Sequence, residues 1–305
     1  MNTFLHLIIL VVFPPLLLGI IGKTKAFFAG KIGPPLLQTY YDLFKLMQKA
    51  SVYSLTSNWI FKAAPMVCLS AIFAAGILMP IASFKAPVQF AGDLVFFVYL
   101  FALARFVTIL AALDTGSSFE GMGASREATF GCLSEIAMFL DLTILALLAQ
   151  KLSLSGIFLG GLASSWFLVG PVLILVVVSL FLLLLVENSR IPIDDPDTHL
   201  ELTMIHEVMV LDHSGVDLAY IVYGKALKLF ILGTLLISVI FTFRFHDHLM
   251  DTGFFIIEIM GLAVLIGIIE STMARLRMNK VPYLLLSAFI FSIIGFIVIL
   301  LRGHS

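Results

Sequence analysis

The chain has 305 residues, 61% of them hydrophobic and 12% charged, with a formal net charge of −1 and a mean hydropathy of +1.11. A soluble domain carries about twice that charge fraction, and so balanced a charge offers a nucleic acid no binding surface. The length therefore measures membrane spans rather than soluble domains, within a single membrane domain over 1–305.

Apolar runs of roughly 18–25 residues, the length needed to cross the hydrocarbon layer, fall at about 4–22, 59–83, 94–113, 130–148, 167–186, 226–243, 253–273 and 281–301. The expected fold is all-α: a polytopic membrane protein of eight transmembrane helices with amphipathic cytoplasmic loop helices. The first run has no cation before it, while Lys23 and Lys25 follow it, which is the reverse of a signal peptide and reads as an uncleaved span. Pro14-Pro15, Pro65, Pro80 and Pro171 lie in or beside spans, where they kink or end a helix.

The connections differ sharply in charge. Thirteen Lys and Arg residues flank the odd-numbered connections, four flank the even-numbered ones and the C-terminus, and Arg105 sits inside a span. The positive-inside bias then places the odd connections in the cytoplasm and both termini outside a prokaryotic inner (plasma) membrane. Within 33–58, Leu36, Leu37, Tyr40, Tyr41, Phe44 and Met47 recur at helical spacing, with Gln38, Asp42, Lys45 and Lys49 between them. That pattern predicts a helix lying in the membrane interface, as a lipid anchor or a partner dock.

The run ENSRIPIDDPDTHLELTMIHE (187–207) directly follows the fifth span and holds Glu187, Asp194, Asp195, Asp197 and Glu201 before Thr203. An ionisable side chain inside a span costs about 2.5–3.5 kcal/mol even on lenient scales, so each such residue needs a partner or a task. Asp114, Glu135, Glu187 and Glu270 are expected at similar depth near the cytoplasmic face, with Asp141 and Arg105 deeper. Carboxylates on several helices leading inward from an acidic loop suit proton transfer. Each alone could equally be a staple between helices. Arg105 and Asp114 lie about half a turn out of phase on one helix and are poor partners for each other.

Cys68 and Cys132 lack a CxxC or a histidine at ligand spacing, and His199, His206 and Glu207 form no H-x-x-x-H or H-E-x-x-H pattern. No metal site, iron–sulfur cluster or catalytic set is therefore expected in this chain. Gly121-Met122-Gly123 lacks the strand–turn–helix setting of a phosphate loop.

Four stretches carry a resemblance to a known family: GPPLLQTYYDLFKLMQK (33–49), with Gln38, Asp42 and Lys45 in a Q-x3-D-x2-K spacing; GASREATFGCLSE (123–135); the 187–207 run; and ESTMARLRMNKVP (270–282). Together with the eight-span plan, they resemble the complex I subunit that joins the redox arm to the proton pumps (the NADH dehydrogenase subunit 1 family). RFVTILAALDTGSSFEGMGASRE (105–127) and THLELTMIHE (198–207) look most like the hydrogenase branch: formate hydrogenlyase and related membrane-bound nickel–iron hydrogenases. The complex I form continues with a different acidic string around Glu207.

This resemblance implies docking of the hydrogenase large and small subunits, and an antiporter-like membrane subunit in the bilayer. The nickel–iron centre and the iron–sulfur clusters would lie in the partners. It also implies a proton path using Asp114, Glu135, Asp141, Glu187, Asp194, Glu201, Glu207 and Glu270. Gln38, Asp42 and Lys45 would serve docking, while Arg126, Arg190, Arg275 and Arg277 would hold the loops by pairing with acids. The rival readings are a quinone-site subunit of an NADH:quinone oxidoreductase, a stand-alone ion transporter and a purely structural anchor. A transporter should show an internal repeat, and an anchor would leave the buried acids without purpose.

Overall fold

The computed structural model describes residues 2–54, 56–160, 162, 165–194, 204–242 and 248–303. Among them the chain is all-helical, with eleven α-helices and two short 3-10 turns, and a lone β-bridge joins Ile81 to Phe84. The helices are α1 (Asn2–Val12), α2 (Pro14–Phe28), α3 (Gln38–Met47), α4 (Trp59–Leu78), α5 (Asp93–Asp114), α6 (Ser118–Ala149), α7 (Leu154–Gly160), α8 (Ser165–Glu187), α9 (Gly215–Ile240), α10 (His248–Thr272) and α11 (Val281–Gly303). Seven are long and apolar enough to cross a membrane, and the pair α1 and α2, bent by 40°, passes the same test together, which gives seven to eight crossings. The chain is a multi-pass membrane protein.

The bend in the first span follows from its chemistry. Pro14 and Pro15 have no N–H to donate, so carbonyls in the preceding turn lose their helical donors. In lipid those carbonyls need substitutes. Tyr40 of α3 donates its hydroxyl to the carbonyl of Val12, and Tyr223 of α9 donates to that of Val11 at 2.9 Å. Pro65 sits within α4 without ending it. Pro171 lies just past a kink in α8, where Val169 leaves helical geometry.

Helix α9 is the axis of the bundle: 72% of its spanning window is buried, against 22% for α11. It packs on α2, α4, α8 and α10, and α3 lies against it. Helices α6, α8 and α11 pack together, and α5 joins α6 to α4. Phe97, Phe101 and Phe230 fill the centre, each at most 1% exposed. The expected spans match in number and order but differ at several ends, among them the start of α9, which begins at Gly215 rather than 226. The second ends at Leu78 rather than 83, where Met79 turns extended just before Pro80. Helix α6 begins at Ser118, so most of 114–129, expected as a loop, is helical. The predicted interface helix appears as α3, with Tyr41, Phe44 and Met47 exposed.

Candidate functional site: a buried arginine–glutamate cluster beneath a cleft

Helix α6 presents Glu127, Gly131, Ser134 and Glu135 at spacings of four, three and one, which puts them on one face two turns long. Arg105, from the middle of α5, reaches across this face. Its Nε donates to Glu127 Oε1 at 3.0 Å. One terminal nitrogen donates to the carbonyl of Gly131 at 3.0 Å and to Glu135, and the other to Ser134 Oγ at 3.3 Å and to Glu187. All five guanidinium N–H groups are thereby matched to five acceptors.

The absence of a side chain at Gly131 makes this crossing possible, since a Cβ there would lie 2.5 Å from Arg105 Cδ. Glu187 ends α8; its Oε1 accepts from Ser134 at 2.5 Å, and its Oε2 lies 2.6 Å from Lys228 Nζ of α9. His206 Nε2 meets Glu127 Oε2 at 3.1 Å. The side chains of Arg105, Glu127 and Glu187 are 6%, 7% and 4% exposed, whereas that of Glu135 is 33% exposed. Three glutamates thus face two permanent cations and one histidine. Glu135 is the least buried of the three.

The cluster forms part of the wall of a cleft with about 820 Å³ of empty space, also lined by Cys68, Thr108, His206, Met209, His213 and Lys225. A smaller space of about 250 Å³ lies on the other side of Glu127, Glu187 and His206. At the cleft wall the His213 ring stacks on Phe61, with centroids 4.0 Å apart and planes within 3°. Burial holds the His213 imidazole below its ordinary pKa, against the opposing pull of Asp217 and Asp212.

A second set of ion pairs ties the loops above the cluster. Asp194 accepts from Arg275 at 2.8 Å through one oxygen, and through the other from the backbone N–H groups of Ile205 (3.0 Å) and His206 (3.3 Å). Arg190 Nη1 lies 3.2 Å from Glu270 Oε1, and Lys25 lies 3.3 Å from its other oxygen. Arg126 donates to the carbonyl of Met204 at 2.8 Å. Gly123 lets the Glu207–Val210 turn press on α6, because a Cβ there would meet Val208 at 2.4 Å.

The expected path residues therefore separate. Glu135 and Glu187 join the Arg105 cluster, while Asp194 and Glu270 hold the loops. Glu207 pairs with Lys225 at 2.5 Å. Asp114 stands apart from the other acids: it receives the backbone and side-chain amides of Asn58, each at 2.7 Å, at the start of α4. Asp141 is fully buried and takes its hydrogen bond from Ser179 at 2.7 Å, whose hydroxyl lies 2.9 Å from that of Ser292. Its position is six residues, or about 9 Å of helix rise, beyond Glu135. Gln38 donates to Asp42 at 2.8 Å within α3, and Lys45 is exposed on the same helix. Arg277 is exposed beside the Met278–Lys280 turn and makes no ion pair among the described residues. Glu201 lies outside the described residues, as do Asp195, Asp197 and His199. Glu127, Ser134, Lys228 and His206 were not expected in the cluster. The spacing of Glu127 and Glu135 on one helix was the available signal for the first.

Among the described residues, no group of three or more His, Cys, Asp and Glu is arranged to hold a metal ion, and Cys68 and Cys132 are free thiols. The family model described as NADH dehydrogenase matches residues 1–301. The chain belongs to that family. Within this NADH dehydrogenase family it is 29% identical to formate hydrogenlyase subunit 4 of Escherichia coli (strain K12), over 94% of each protein. It is 31% identical to hydrogenase-4 component C of the same organism, over 88% of this chain and 86% of that protein. A membrane-family relative from Burkholderia vietnamiensis, a subunit of its NADH-quinone oxidoreductase, is 22% identical, over 82% of this chain and 74% of that one. A chain in the structure of the membrane-bound sulfane sulfur reductase, an archaeal respiratory membrane complex, shares the fold with a TM-score of 0.81. It is 18% identical and covers 98% of both chains. The chain is a polytopic membrane subunit of the family that spans complex I and formate hydrogenlyase, related to hydrogenase-4 components.

Proposed function

We propose that this chain is the membrane subunit of a membrane-bound nickel–iron hydrogenase complex of the formate hydrogenlyase type. It docks the soluble redox arm and couples electron transfer to proton movement without being catalytic itself. The observation that carries the reading is the Arg105 cluster: three glutamates gather around one arginine, and the two almost fully buried ones, Glu127 and Glu187, line a cleft together with Arg105 and Lys228. Such a set holds more acid than permanent base, so it can take and give up a proton at modest cost. The higher identity to the two hydrogenase components than to the quinone oxidoreductase subunit favours hydrogen chemistry in the partners.

The proton path runs through Glu135, Glu187 and Glu127, with Asp194, Glu201 and Glu207 leading in from the acidic loop. The positive-inside bias supports a cytoplasmic cleft with both termini outside. Large and small hydrogenase subunits dock over the 33–58, 187–214 and 273–280 segments, and an antiporter-like subunit lies beside the chain in the bilayer. The nickel–iron centre and iron–sulfur clusters belong to those partners. The chain acts as one membrane domain throughout.

The experiment is purification of the complex from native membranes through a tag on this chain. The preparation should contain a nickel–iron large subunit and evolve hydrogen from reduced carrier. A preparation with no nickel and no hydrogen evolution would contradict the proposal. A second reading, a quinone-site subunit, draws on the cleft, where apolar side chains such as Ile72, Met209 and Ile221 stand beside Arg105 and Lys228, the mix of apolar wall and few polar groups that small-molecule sites use. Quinone-dependent turnover by the same preparation would favour it.

A further inference from the structure

The imidazole of His206 lies between the cleft and the buried cluster, and it borders both the large and the small space. Its Nε2 is held by Glu127 at 3.1 Å. Its Nδ1 is buried and has no hydrogen-bond partner among the described residues. The ring is not placed by chance. Its backbone N–H and that of Ile205 are fastened to Asp194, which Arg275 fastens in turn, and Arg126 holds the carbonyl of Met204 just before it. A buried imidazole nitrogen without a partner costs free energy unless it is used. The other charged groups around the ring are Glu127 from α6, Arg105 from α5, Glu187 and Asp194 at and beyond the end of α8, Lys225 from α9 and Glu207 beside it in the chain.

We propose that His206 is the proton-transfer residue that joins the cleft to the Arg105 cluster, taking a proton at Nδ1 and delivering one from Nε2 to Glu127. This rests on the proton-coupling reading above and names the residue through which the cluster exchanges. In the resting ring, Nε2–H donates to the Glu127 carboxylate and Nδ1 carries a lone pair. A proton from water in the cleft forms the Nδ1–H bond. The Nε2–H bond then breaks, an O–H bond forms on Glu127, and the ring is left neutral in its other tautomer. It resets once Glu127 has passed its proton on within the cluster: the ring turns, cleft water carries its one proton from Nδ1 to Nε2, and the ring turns back with no net gain or loss of protons. Charge favours the first step. With His206 neutral, three carboxylates face Arg105 and Lys228, and one added proton balances them.

The test uses membranes carrying the assembled complex, with hydrogen evolution measured against pH and normalised to the amount of large subunit bound. His206→Gln keeps an N–H for Glu127 and cannot relay a proton. It should lower turnover by about 10²-fold and remove the acid limb of the pH profile. His206→Ala leaves a hole beside an open cleft, and added imidazole should restore its turnover, which a merely positioning role would not permit. Wild-type turnover and pH profile in His206→Gln would overturn the proposal, as would a loss in His206→Ala that imidazole leaves untouched. Glu135→Gln separates the two readings. Its loss of turnover beside an active His206→Gln sinks this inference alone, while full turnover in both variants sinks the proton-coupling reading beneath it.

Discussion

Arg105 decides the character of the site. Five acceptors converge on one guanidinium that is 6% exposed, so removing it leaves Glu127 and Glu187 buried without its charge. Arg105→Ala should cost about 3–5 kcal/mol, the usual penalty for breaking a buried ion pair, and should reduce the chain that survives membrane extraction. Gly131→Ala tests the same contact without removing charge: the new methyl, 2.5 Å from Arg105 Cδ, should cost about 1–3 kcal/mol through overpacking. His213 gives a pH prediction. Burial depresses its folded pKa below the ordinary 6.5, so the unfolded chain takes up a proton first as pH falls. The contribution is therefore fully present above pH 6.5 and is lost as pH falls through the unfolded value towards the lower folded one. In detergent, melting of the wild type should drop more between about pH 7.5 and about pH 5 than that of His213→Phe, which keeps the stack on Phe61 and cannot titrate. Equal drops would show that another group controls acid sensitivity.

At the scale of elements, Tyr223 replaces the donor that Pro15 lacks at the carbonyl of Val11, Tyr40 serves that of Val12 because Leu16 N–H turns to Phe13, and the two tie α9 and α3 to the break between α1 and α2. The combined Tyr40→Phe and Tyr223→Phe variant should lose about 1 kcal/mol per hydroxyl, read as a lower melting temperature in detergent. Arg275 acts over a longer distance by fixing Asp194, which fixes the backbone of Ile205 and His206. Arg275→Ala should cost about 3 kcal/mol at that partly buried pair, with hydrogen exchange rising over 204–210 and little change in α9. The helices themselves were largely legible in the sequence, because lipid demands about 20 apolar residues per crossing and the eight runs supply them. The start of α6 was hidden. Ser118 to Phe130 carries Arg126, Glu120 and Glu127, whose charges read as loop until a partner helix is known to cover them.

For the molecule as a whole, the acids were legible one at a time and their grouping was not. Glu135 and Glu187 stood out as carboxylates in or beside apolar runs. Lys228, however, counted only as a topogenic charge, and nothing in one sequence shows which helix faces meet. The contact of Asp114 was hidden for the same reason, since its partner Asn58 begins a different helix. The Lys and Arg asymmetry predicts that Ala50→Cys is labelled only from the cytoplasm and Gln89→Cys only from outside in sealed cells. Labelling of Ala50→Cys from outside would reverse the orientation. The most direct measurement of the central proposal is hydrogen evolution by membranes carrying Glu187→Gln or Glu135→Gln, at large-subunit levels equal to wild type. Glutamine keeps the shape and much of the hydrogen bonding but cannot carry a proton, so both variants should assemble and turn over at least about tenfold more slowly. Wild-type rates in both would contradict a proton route through the Arg105 cluster.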